Sequence, residues 1–311
     1  MCVKRNVLIY IFLLIIVFSY LPVHSQENKS NYPPVIPDAK IEMYKIINDI
    51  KLNLWIIYPK DHKDTDSRAA IVFFFGGGWK NGNPKQFVPQ CKYLADRGMV
   101  AMVADYRVRS RHNVSANKCV EDAKSAVRYI RQNAARLGID PDRIAASGGS
   151  AGGHLAAATA TLPNCNDPAD DFSVNPKPNA LVLFNPAVIL ASVPGQYDVT
   201  PEKAEEWRKR LGVEPELISP YHHITENICP TIIFHGTKDK IVPYKTVELF
   251  REKMQEKHNR CELVGYYKKG HGFFNSGWDS SASYIDTIYK MDHFLCSIGY
   301  LKSPPESIHY K

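Results

Sequence analysis

Three residues, spread from the middle of the chain towards its C-terminus, have the types and spacing for acyl-transfer chemistry. Ser150 lies in Gly148-Gly149-Ser150-Ala151-Gly152, a G-x-S-x-G pattern. A hydroxyl is a weak nucleophile until a neighbouring base removes its proton. Of the 11 histidines, His271 is the best placed, in a loop between Gly270 and Gly272 just past the last strand-like run. His235 reads as a core or strand-end residue, His222 and His223 fall in an irregular stretch, and His154 follows the serine in a helix. A carboxylate must orient the imidazole. Asp105 and Asp239 both follow strand-like runs, whereas Asp279 and Asp286 come after the histidine and fit poorly. A second glycine cluster, Gly76-Gly77-Gly78 before Trp79, lets backbone approach a reacting carbonyl. The amides of Gly77 and Gly78, with that of Ala151, would form an oxyanion hole, a feature typically worth ~3–4 kcal/mol. Neither G-x-x-x-x-G-K-[ST] nor G-x-G-x-x-G occurs, so the serine turn is not read as a phosphate cradle. There is no C-x-x-C and no H-E-x-x-H, so no metal is expected, and the chemistry calls for no cofactor.

These groups need a scaffold that presents strand ends together. Two β-rich runs, Ile41–Ile47 and Lys51–Tyr58, flank Asn48-Asp49 and predict a hairpin. Unbroken apolar runs at Ala69–Phe75 and Met99–Ala104 predict strands buried on both faces. Further strands are expected at Arg143–Ser147, Ala180–Phe184, Thr231–His235 and Glu262–Tyr266. Helices are expected at Pro84–Arg97, Ser115–Leu137, Ser150–Thr161, Tyr244–His258 and Ser281–Ser297. Such alternation means right-handed crossovers and a mostly parallel sheet with helices on both faces. Ligands then bind at the carboxyl ends of the strands, where Ser150, Asp239 and the glycine cluster fall. Residues 187–229 break the rhythm, with a helix begun at Thr200-Pro201 and stopped by Gly212. An excursion of that length reads as a lid or substrate wall.

Taken in order, five motifs resemble the α/β-hydrolase superfamily, in its esterase/lipase branch with an H-G-G-G-type oxyanion loop. They are Phe75-Gly76-Gly77-Gly78-Trp79, Asp105-Tyr106-Arg107-Val108, Gly148–Gly153, Gly236-Thr237-Lys238-Asp239 with Val242-Pro243, and Gly270-His271-Gly272. The resemblance covers nearly all of residues 41–300. It implies the α/β-hydrolase fold, with Ser150, Asp239 and His271 as the triad in that chain order. It also implies a structural role for Asp105 and packing for His154. Phe75 stands where the family has a histidine that braces the loop. The chain looks more like secreted bacterial esterases, including feruloyl and acetyl esterases of plant polysaccharides. The expected partner is a small-molecule or polysaccharide-linked ester. Two other readings stay open: a serine peptidase of the prolyl-oligopeptidase type and a non-catalytic binding protein on the same fold.

Composition agrees with a globular enzyme: of 311 residues, 44% are hydrophobic and 23% charged, ample to bury a core. Lys4 and Arg5 precede an apolar run, Val7–Phe18, and Val23-His24-Ser25 suits signal-peptidase cleavage. The run is shorter than the ~20 residues of a membrane span, so a secreted or periplasmic protein without stable membrane insertion is expected. The organisation read is a leader over 1–25, an extended segment over 26–40, a catalytic domain over 41–300 with its insertion, and a tail over 301–311. The formal charge of +7 is spread along the chain, and no basic module points to nucleic acid. Oligomeric state is left open. Six cysteines follow the leader, with Cys91–Cys119 and Cys229–Cys261 as the favoured disulfides.

Overall fold

The protein is represented by a computed structural model that describes residues 32–278 and 281–303. The leader and residues 304–311 of the tail lie outside the described residues. The apolar runs become the centre of an eight-stranded sheet. Its strands are β1 (Lys40–Ile47), β2 (Ile50–Ile57), β3 (Arg68–Phe74), β4 (Val100–Ala104), β5 (Ile139–Gly149), β6 (Ala180–Phe184), β7 (Thr231–Gly236) and β8 (Cys261–Tyr266). The order is β1-β2-β4-β3-β5-β6-β7-β8. The β1–β2 and β2–β4 pairs are antiparallel, and all pairs from β4 to β8 are parallel. This is the α/β-hydrolase architecture, with the expected N-terminal hairpin at one edge.

Side chains alternate across the sheet, so each strand feeds two cores. Val72 and Phe74 pack with helices α3 (Ala116–Gln132), α4 (Ala151–Thr161) and α6 (Tyr244–Glu256). Ile71 and Phe73 pack on the other face with α1 (Val88–Asp96) and α7 (Ser281–Ser297). The helix expected over Pro84–Arg97 is broken. A 3-10 turn, Pro84–Phe87, precedes α1, and the Asn83 side chain accepts from the Lys85 amide at 2.9 Å. Pro89 has no N–H to continue one helix through the junction. β5 starts at Ile139, earlier than the apolar pattern suggested, because its first residues pair at Arg68.

The disulfide expectation is corrected. Cys91, Cys119, Cys165, Cys229, Cys261 and Cys296 are all free thiols. Cys91 and Cys119 belong to cores on opposite faces of the sheet, out of reach of each other. Cys261 is paired in register with Thr231, two residues beyond Cys229. Burial pushes the thiols of both Cys229 and Cys261 up to about 12, which keeps them protonated.

The irregular stretch after β6 is built around α5 (Pro201–Leu211). Thr200 Oγ1 accepts from the Lys203 amide at 3.3 Å, and Gly212 stops the helix at φ 76°. Its outer face is exposed, but Leu211, Ile218 and Tyr221 are buried in the core beneath α4. That burial ties the insertion to the body of the fold. A four-residue helix, α2 (Arg109–His112), follows β4 and has no apolar periodicity to announce it. Among the described residues no helix is long and apolar enough to cross a membrane.

Candidate active site

Ser150 stands where β5 turns into α4, at φ 55° and ψ −116°. That conformation is costly for a residue with a Cβ and persists only where the surroundings impose it. They do: the Ser150 amide donates to Phe184 O at 2.9 Å, at the end of β6, and Ser150 O accepts from the His154 amide at 2.9 Å. Gly152 explains why the turn tolerates no side chain there. A Cβ on it would lie 2.0 Å from Phe74 O and 2.5 Å from Phe75 O, so α4 docks directly on the backbone of β3. The hydroxyl-bearing residue is left partly exposed at the helix N-terminus.

Asp239 and His271 come from adjacent loops after β7 and β8. The Lys238 amide donates to Lys269 O at 2.9 Å, tying the loops side by side. His271 Nδ1 donates to Asp239 Oδ2 at 2.7 Å. The other carboxylate oxygen accepts from the amides of Ile241 and Val242 at 2.8 and 3.0 Å. Asp239 is buried, which disfavours its charge, yet the hydrogen bonds from His235, His271 and Val242 outweigh burial and hold its pKa well below the usual value. It is therefore ionised throughout the neutral range. Asp105, the other strand-end carboxylate, is occupied elsewhere: Oδ1 accepts from the Tyr106 amide at 2.8 Å and lies 3.5 Å from Arg111.

The glycine loop after β3 lies against Ser150. The Gly76 amide is taken by Gln86 Oε1 at 2.6 Å, while Gln86 Nε2 donates to Asn275 Oδ1 at 2.9 Å in the His271 loop. Among the described residues no acceptor of the chain takes the amides of Gly77, Gly78 or Ala151, so these donors remain available. Gly78 has φ 63°, and a Cβ there would lie 2.1 Å from Arg210 Nη2. Arg210 on α5 donates to Gly78 O from Nη2 at 2.7 Å and from Nε at 3.1 Å, with its guanidinium 5.3 Å from the centre of the Trp79 ring. Trp79 Nε1 donates to His154 Nδ1 at 3.1 Å. His154 Nε2 must then carry the proton it donates to Ile218 O at 2.7 Å. Burial lowers the His154 pKa to about 4, so the ring stays neutral at ordinary pH.

A cavity of about 490 Å³ opens at Ser150. Gly78, Trp79 and Ala151 form one side, and Ile189, Tyr197 and Trp207 of the insertion form another. His271 is not part of that lining; its loop joins the site through Gln86 and Asn275.

The family described as BD-FAE matches residues 54–254. The chain belongs to the BD-FAE family. Its fold places this member among α/β-hydrolases of the esterase/lipase branch. A thermophilic esterase, Est2, from the Planctomycetes species Thermogutta terrifontis is similar throughout. Its butyrate-bound structure is 52% identical, with a TM-score of 0.84, covering 88% of this chain and 99% of that one. The same esterase phosphonylated by sarin gives 52% identity, a TM-score of 0.84 and the same coverage. Esterase LipC of Mycobacterium tuberculosis is 31% identical over 247 residues, 73% of this chain and 59% of its own length. The chain spans about half the length of the curated relatives it matches.

Within this BD-FAE chain, Phe75 braces the glycine loop through Tyr106. Its ring stacks on Tyr106 at 4.1 Å, and Tyr106 Oη donates to Phe75 O at 2.7 Å. The roles of four further residues escaped sequence reading. His235 adds a second imidazole 3.3 Å from Asp239 Oδ2, and its nitrogen also lies 2.9 Å from Val242 O. Gln86, His154 and Arg210 hold the glycine loop. None of these last three carries a local pattern; their partners in the glycine loop lie 10, 75 and 132 residues away.

Proposed function

We propose that the chain is a secreted serine carboxylic ester hydrolase that works through Ser150, His271 and Asp239. The observation carrying this reading is the strained Ser150 at a strand–turn–helix junction, with His271 held on an ionised Asp239 at 2.7 Å. Nδ1 is committed to Asp239, which leaves Nε2 to take the Ser150 proton as Oγ attacks the ester carbonyl. Asp239 stabilises the imidazolium that results. The amides of Gly77, Gly78 and Ala151 hold the developing oxyanion, reinforced by the N-terminus of α4. His271 then returns the proton to the leaving alcohol, and water, activated by the same imidazole, releases the acid from Ser150.

Short acyl groups suit the cavity size, and Est2 is known with butyrate bound. Trp79, Tyr197 and Trp207 give the cavity an aromatic lining, which supports removal of acetyl or feruloyl groups from polysaccharides. Export is supported by the leader pattern at the N-terminus. The test is hydrolysis of 4-nitrophenyl acetate and butyrate by Ser150→Ala, with a fluorophosphonate label as second readout. Turnover should fall by several orders of magnitude and labelling should vanish. Near wild-type turnover would refute the assignment.

A further inference from the structure

A second groove, of about 770 Å³, opens on the outer side of the glycine loop. It shares Gly78, Trp79 and Arg210 with the cavity at Ser150, so the two adjoin at the same residues. Its charged lining is lopsided: Lys80, Arg109, Lys209 and Arg210 face a single carboxylate, Glu206. Glu206 is already bound by Lys203 at 2.9 Å, and Lys209 lies 3.4 Å from Glu205. Among the described residues no carboxylate comes within ion-pair distance of Lys80, Arg109 or Arg210. These cations come from three separate elements, the glycine loop, α2 and α5. Burial depresses the Arg210 pKa, Glu206 opposes that, and the neighbouring Arg109 charge adds to it. Like charges gathered without a counter-charge raise the local potential and attract an anion. The planar guanidinium of Arg109 suits a carboxylate, which it can grip with two parallel N–H bonds.

We propose that this groove is a subsite for a carboxylate carried by the ester substrate, making acidic esters preferred over neutral ones of similar size. The proposal rests on the ester-hydrolase reading and adds the substrate's charge. The carboxylate can sit on the alcohol or on the acyl group, and the test has one arm for each. The first arm compares 4-acetoxybenzoate with its methyl ester. The second compares 4-nitrophenyl hydrogen glutarate with 4-nitrophenyl butyrate. In each, the ratio of kcat/KM, acidic over neutral, is measured at low salt for the wild type, Lys80→Gln/Arg109→Gln and Lys80→Glu/Arg109→Glu. Two solvent-exposed charges acting across about 8 Å of water-like dielectric are worth on the order of tenfold together. The Gln pair should lower the ratio by about that factor in one arm, and the Glu pair by more. Salt at 1 M, where the screening length is about 3 Å, should erase most of the wild-type preference. Both residues are exposed, and equal thermal midpoints check that the fold is intact. The arm that responds identifies where the carboxylate lies. Neutral esters turned over with a ratio that stays within twofold in both arms would overturn this inference alone. Failure of the wild type to hydrolyse any of the four esters would overturn the ester-hydrolase reading, and this inference with it.

Discussion

Arg210 gives the sharpest test of how the insertion serves the reaction. It belongs to α5, far along the chain from the glycine loop, yet two of its N–H groups converge on Gly78 O at 2.7 and 3.1 Å. Arg210→Met keeps an apolar stem beside Trp79 and removes both donors. A hydrogen bond involving a charged group contributes about 1.5–3 kcal/mol. If that energy holds the Gly77 and Gly78 amides in the position the oxyanion needs, its loss slows reaction by about 10- to 150-fold. The effect should fall on kcat, because the amides act when charge develops on the carbonyl oxygen. Arg210→Lys restores a charge without the fork and should recover only part of the rate. Steady-state kinetics on a neutral ester, 4-nitrophenyl butyrate, isolate this role from any attraction of acidic substrates. A kcat for Arg210→Met within threefold of wild type, with unchanged secondary structure, would refute the argument that the insertion positions the oxyanion loop.

Two further outcomes follow from packing and from protonation. Gly152→Ala puts a methyl group 2.0 Å from Phe74 O, against backbone that cannot yield; it should cost about 3 kcal/mol and lower Tm by about 6–12 °C, and a midpoint within about 2 °C of wild type would contradict the close docking of α4 on β3. His154 is neutral in the folded protein, its pKa lowered to about 4 by burial from the ordinary 6.5, so the unfolded chain binds the extra proton between those values. Its stabilising contribution is present above pH 6.5 and is lost as pH falls towards 4, by about 3 kcal/mol in all. Urea unfolding of wild type and His154→Gln at pH 7 and 4.5 checks this: the two should converge on acidification, and parallel curves would refute it.

Much of the architecture was legible because it rests on local pattern. Unbroken apolar runs such as Ala69–Phe75 can be satisfied only between two helical layers. Glycines clustered at strand ends mark backbone that must approach other backbone. Residues whose role needs a partner distant in the chain were not legible. Arg210 reads as one more cation on an amphipathic helix, and Gln86 as a polar residue near the start of the helix expected over Pro84–Arg97. Cysteine pairing failed for a related reason: an even count of thiols carries no information on which face of the sheet each one enters, and Cys91 and Cys119 enter opposite faces.

The sequence by itself determined the periodicities that make a doubly covered parallel sheet, and the turn that exposes Ser150 at a strand end. Both depend on residue types within a few positions of one another. Only the tertiary structure decided how the loop amides are held, through Arg210, Trp79 and His154 in a chain that runs from the insertion to α4. It also decided that Lys80, Arg109 and Arg210 line one groove with, among the described residues, no carboxylate within ion-pair distance of them. Hydrogen bonds and fields act across space, and the folding of separate elements onto one face sets those distances.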